Sequence, residues 1–113
     1  MRFVHSYWTA PRSKNRDIDL LCSAYSVTRV HTLGHKIILH TDDYGKKFLK
    51  DIPYDEVYVT LNGLSDIINP HIWSASKFIS MQNEPLSSIH IDNDVFLYDE
   101  NLLTIPQDIK FLA

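Results

Sequence analysis

The amino-acid sequence predicts an α/β domain built on a mainly parallel sheet, and three observations carry that expectation. Short runs rich in β-branched and aromatic residues alternate with longer amphipathic stretches, in the order strand, helix, strand, helix, strand, helix, strand. The run Ile37-Ile38-Leu39 is apolar at consecutive positions, the pattern of a central strand covered on both faces. Polar, acidic and aromatic residues gather where the expected strands end: Tyr7, Trp8 and Thr9 after the first, Thr41 and Asp42 after the second, and Asp92 to Asp94 after the fourth. Open parallel sheets bind their ligands at that carboxyl edge.

Taken in order, Arg2 to Trp8 mixes Phe, Val, Tyr and Trp into a first strand that gives way to a loop at Thr9-Ala10-Pro11. A helix begins near Asp17, capped from Ser13 or Asn15, with the Asp17 carboxylate at the positive end of the helix dipole. Its stripe of Ile18, Leu20, Leu21, Cys22, Ala24, Tyr25, Val27 and Val30 is broad enough to pack on a sheet. Gly34 supplies a left-handed cap before the central strand. From Asp42 to Lys50 acids come first and lysines last, as a short helix prefers, and Pro53 stops it. Glu56 to Leu61 reads as a strand, Asn62-Gly63 as a turn. Asn69-Pro70 precedes a helix with Trp73, Lys77 and Met81 on one face, and Trp73 and Met81 are assigned to the core. The fourth strand, around Ile89 to Ile91, follows it; Asp99 to Leu103 suits one helical turn and Ile109 to Ala113 the start of a further strand.

At 113 residues the chain is one domain, 1–113, with 44% apolar residues and enough aromatics for a folded core. Eleven dispersed Lys and Arg against 14 Asp and Glu leave a net charge of −3, which argues against nucleic acid and against a basic membrane patch. No stretch is apolar enough to be a transmembrane segment or a leader peptide, and the single Cys22 reads as a buried small hydrophobe in a reducing, cytoplasmic setting. Three glycines, at 34, 45 and 63, allow neither a dinucleotide fingerprint nor a P-loop, and no nucleophile elbow is present. None of the six histidines has zinc-site spacing.

The chemistry concentrates in Ile89-His90-Ile91-Asp92-Asn93-Asp94-Val95-Phe96. Asp92 and Asp94 are two apart, so on an extended chain they share a face and repel unless a cation lies between them; an all-oxygen site of that kind suits Mg²⁺ or Mn²⁺. The competing reading is a strand-end turn in which the Asp side chains hydrogen-bond nearby backbone.

This stretch, preceded by a helix with Trp73 and Lys77, resembles the Asp-x-Asp region of glycosyltransferases with the GT-A fold. Ile37 to Gly45 is similar to the second-strand segment of bacterial sugar transferases of the polysaccharide-biosynthesis kind, and His5-Ser6-Tyr7-Trp8 occupies the usual first strand. The resemblance spans essentially the whole chain, as the amino-terminal half of such an enzyme. It implies a Rossmann-like domain that binds a nucleotide diphosphate sugar for transfer to an unknown saccharide or other acceptor. Asp94 would contact Mn²⁺ or Mg²⁺; Asp92 would hold the metal or sugar and ribose hydroxyls, with Asn93 between them. Tyr7, Trp8 and Thr9 would line the base pocket, Thr41 and Asp42 would lie near base or ribose, and Lys77 would reach a phosphate or orient an aspartate. The family's carboxyl-terminal half, with the acceptor site and a third metal ligand, has no counterpart here. The chain therefore reads as truncated, with an apolar final strand prone to self-association. Two alternatives compete: a non-catalytic ligand- or partner-binding module with a structural Asp pair, and a phosphotransfer site, which the absence of an Asp after the first strand disfavours.

Overall fold

A computed structural model describes residues 1–12 and 16–98, together with the backbone of 111–112. Five parallel strands, β1 (Arg2–Tyr7), β2 (Lys36–Thr41), β3 (Glu56–Val59), β4 (Ile89–Ile91) and β5 (Phe111–Leu112), form one sheet in the order β3-β2-β1-β4-β5. The connections carry α1 (Asp17–Thr32), α2 (Asp43–Phe48) and α3 (Ala75–Gln82). The chain is thus α/β with a Rossmann-like parallel sheet, as its residue pattern implied. The expected helical turn at 99–103 and the proposed Ser13 or Asn15 cap fall outside the described residues, as do the side chains of the last strand. The cap position of α1 is held by Arg16, whose side chain makes no capping bond.

The sheet has two unlike faces. Phe3, Tyr7, Ile37, Leu39, Ile89 and Ile91 point to the α1 side, where Val27 and Val30 complete the core with Leu97. Each buried side chain of that size contributes on the order of 1.5–3 kcal/mol. The outer half of the α1 stripe departs from expectation. Ile18, Leu21 and Tyr25 are exposed and Cys22 is half-buried, while Asp19, Ser23 and Ser26 turn inward. The reason is chemical: the sheet presents polar groups to α1 as well. Ser26 donates to the Val95 carbonyl, which leaves its oxygen to accept from His5 Nε2 at 3.0 Å, and His5 Nδ1 lies 2.7 Å from the Tyr54 hydroxyl.

The α3 face is more polar still. Ser6 donates to Ser80 Oγ at 2.6 Å and accepts from His90 Nε2 at 2.9 Å. His40 bridges Thr60 and Glu84, and Glu84 also receives Arg2. Burial alone would raise the Glu84 carboxyl, but the bonds from Arg2 and His40 outweigh it and hold the group below its ordinary range.

Two glycines have steric reasons for their places. Gly34 takes φ 80° just past α1, and its N–H closes on the His31 carbonyl. Gly45 is demanded by a close approach: a Cβ there would run into Thr41 Oγ1, Tyr7 and Asp42. Gly45→Ala should therefore lower unfolding free energy by about 1–3 kcal/mol, measured by urea denaturation; an unchanged midpoint would mean that α2 can shift freely away from β2.

Burial pushes the His5 imidazole down to about 3, helped by neighbouring His90, and burial pushes His90 down to about 4. Both are neutral in the native state, whereas unfolded histidines protonate near 6.5. Below that value the unfolded chain binds more protons, so stability falls as pH drops from 6.5 towards 4, by up to about 1.4 kcal/mol per pH unit for each histidine. Urea midpoints at pH 7.5, 6 and 5 should decline accordingly, and a flat profile across that window would show these rings to be solvated.

Candidate functional site

Beyond β3 the chain crosses from one side of β1 to the other before laying down β4, so the winding reverses between β1 and β4. Two adjacent strands whose connections depart in opposite directions leave a crevice at their carboxyl ends. A cavity of about 250 Å³ opens there, lined by Ser6 and Trp8 from the end of β1, Pro11, Arg12 and Arg16 from the loop after it, Trp73, Ser76 and Lys77 around the start of α3, and Asp92, Asn93 and Asp94 beyond β4.

The acids do not sit as on an extended strand. β4 ends at Ile91, and the Val95 N–H bonds to the Asp92 carbonyl at 3.0 Å, so Asp92 to Val95 is a turn. The turn still presents both carboxylates to the cavity, Asp94 on the exposed side and Asp92 half-buried. Asp92 Oδ1 is held by Lys77 Nζ at 2.8 Å and lies 4.0 Å from His90 Nδ1. Lys77 in turn lies 5.1 Å from the Trp73 ring centroid, within cation–π range. Asn93 does more than space the acids: its side-chain amide donates to Ser23 Oγ at 3.2 Å and ties the turn to α1.

Trp8, Lys77, Asp92, Asn93 and Asp94 are thus brought together, and the other expected site residues support them from behind. Tyr7 is buried in the core, and its hydroxyl donates to Asp19 at 2.9 Å. Burial, with that carboxylate, pushes its pKa well above the ordinary phenol value. Thr41 is fully buried and donates to the Tyr7 carbonyl at 2.6 Å. Asp42 accepts from the Thr9 N–H and hydroxyl through one oxygen and from the Gly45 N–H through the other, so it caps α2 and pins the loop leaving β1. Tyr7, Thr9, Thr41 and Asp42 do not line the cavity; their bonds fix the strand ends that do.

Three cavity residues escaped the sequence reading. Trp73 precedes α3 instead of packing on it, and it is 55% exposed, which corrects its assignment to the core. Arg12 and Arg16 each approach the same oxygen of buried Asp19 at 3.5 Å, and the Arg12 guanidinium lies 4.7 Å from the Tyr7 ring centroid. The signal available was the inward-facing Asp19 two positions into a helix, preceded by arginines three and seven residues earlier. The dipole role was assigned to Asp17, and Asp19 was given no role.

The fold and its crevice define a Rossmann-like α/β domain with an open cavity at the carboxyl edge of its sheet. Residues 1–108 match the model of a family of unknown function, DUF6734, and the chain belongs to that family. No curated protein and no solved structure matches it. Among the described residues no helix is long and apolar enough to cross a membrane.

The two tryptophans give a direct check on the cavity. Acrylamide should quench an accessible and a protected component of the fluorescence, since Trp8 is only 2% exposed. Trp73→Phe should remove the accessible one; persistence of fast quenching in that variant would place Trp8, not Trp73, at the open wall.

Proposed function

We propose that this chain forms the sugar-nucleotide-binding half of a glycosyltransferase with the GT-A fold, of the kind that builds polysaccharides. The observation that carries the reading is the placement of the cavity at the β1/β4 switch point with aromatic, cationic and acidic groups on different walls. Exposed Trp73, with the edge of Trp8, offers an apolar wall for a base. Lys77, Arg12 and Arg16 face the phosphates, and Asp94 with Asp92 accepts hydrogen bonds from sugar hydroxyls. The acceptor saccharide would approach from the exposed Asp94 side.

The divalent metal that the resemblance implies would have to be held by Asp92 and Asp94. The residues as arranged do not fit it. Lys77 already occupies Asp92, Arg12 and Arg16 add positive charge to the same cavity, and no third His, Cys, Asp or Glu joins the pair among the described residues. No step is therefore assigned to a metal.

The Asp92–Lys77 ion pair also favours a second reading, a non-catalytic ligand-binding module in which this aspartate is structural. Calorimetric titration separates the two. The first reading expects UDP or GDP to bind, the corresponding nucleosides to bind at least about tenfold more weakly for want of charge-assisted phosphate contacts, and Asp94→Asn to weaken the nucleotide sugar but not the bare nucleotide. A folded chain that takes no nucleotide diphosphate, or binds its sugar form no differently after Asp94→Asn, would leave the module reading standing.

A further inference from the structure

We propose that Lys77 is the site's built-in cation, and that the cavity takes a diphosphate ester without a divalent metal. The inference rests on the functional reading above for the identity of the ester, but on geometry of its own for the mode of binding.

Lys77 Nζ sits 2.8 Å from Asp92 Oδ1, where a metal bound to that carboxylate would otherwise stand. The side chain is only 20% exposed, and the Trp73 ring covers it from outside. A dication entering between Asp92 and Asp94 has to displace this ammonium and then share the cavity with it and with the two arginines. Like charges a few ångströms apart cost about 4 kcal/mol at surface-like screening, and here one of them would be doubly charged.

For an anion the same walls are already arranged. An ammonium has three N–H donors and a guanidinium five. Lys77 gives one contact to Asp92, while Arg12 and Arg16 share a single oxygen of Asp19 at 3.5 Å, outside good hydrogen-bond length. The Arg12 Nε–H is shielded from solvent and has no hydrogen-bond partner among the described residues. Asp19 therefore orients two forked cations without consuming their donors. Two phosphate groups, each with several acceptor oxygens, match that surplus, one on Lys77 and one on the arginine pair. When Lys77 turns from Asp92 to phosphate, Asp92 becomes an acceptor for the hydroxyls of whatever the diphosphate carries.

Titration of inorganic pyrophosphate and of UDP and GDP into the chain, in chelator and again with Mn²⁺, tests this. Wild-type protein should bind pyrophosphate in chelator, with an affinity that Mn²⁺ changes by less than about threefold, a fraction of a kcal/mol. Lys77→Gln should weaken it by about tenfold or more, the loss of one charge-assisted contact. Arg16→Gln, at an exposed position and with Arg12 still beside Asp19, should weaken it too, in a variant whose urea midpoint shows it folded. Pyrophosphate binding that requires Mn²⁺, or is unchanged in both variants, overturns the inference. The two readings fail separately. Metal-free pyrophosphate binding with no gain from a nucleoside leaves Lys77 as the cation and sinks the sugar-nucleotide reading. UDP or GDP bound only with Mn²⁺ does the reverse, and no binding in any arm removes both.

Discussion

Everything in this molecule is hung on β1. The strand is paired on both edges, to β2 over Arg2 to Tyr7 and to β4 over Phe3 and Val4, and covered on both faces. With its backbone satisfied sideways, its side chains can be divided without compromise. Odd positions Phe3, His5 and Tyr7 meet the α1 layer, and even positions Arg2, Ser6 and Trp8 meet the α3 layer or the cavity. The reversal of winding also happens at this strand, so the strand that centres the core opens the crevice. Stability and the shape of the crevice are set by one element, and a change that disturbs its pairing alters both.

The cavity illustrates how a site is held by residues that never face it. Asp42 ties the β1 exit to the start of α2 through Thr9 and Gly45, and Thr41 fastens the Tyr7 carbonyl. Asp19 receives the Tyr7 hydroxyl and both arginines. Asn93 reaches across to Ser23. Asp42, Thr41, Asp19 and Asn93 are buried or half-buried and each makes a hydrogen bond, which a low-dielectric setting makes necessary and which in turn removes alternative loop conformations.

The fold was legible because periodicity and punctuation carry it. The consecutive apolar run at Ile37 to Leu39, the glycine at 34 and the acid-first, lysine-last stretch from Asp43 each act through neighbours a few residues away. The site was half legible. Residues adjoining strand ends, such as Trp8 and Asp92, could be placed because the strand ends could. Arg12 and Arg16 could not, since what recruits them is a carboxylate on the buried side of α1, and which side is buried depended on His5 and Tyr54 reaching the same layer. Trp73 was misread for a related reason. It was counted as a helix residue, but α3 starts only at Ala75; serines occupy inner positions of that helix, which rests on hydroxyl and imidazole contacts as well as on Ile79 against the Trp8 cluster.

That last arrangement has a mechanical meaning for α3. Helices seated on aliphatic side chains can creep by fractions of an ångström, because dispersion is non-directional and neighbouring positions are nearly equivalent. α3 is held through the Ser80 hydroxyl on Ser6, itself gripped by His90, with Glu84 just past its end bound to Arg2 and His40. Directional bonds of this kind have one good alignment, and the next lies a full helical turn away, about 5.4 Å. The helix that carries Lys77 is indexed, not cushioned: the root of that side chain keeps a fixed address, and any movement of its ammonium has to come from the side-chain torsions alone.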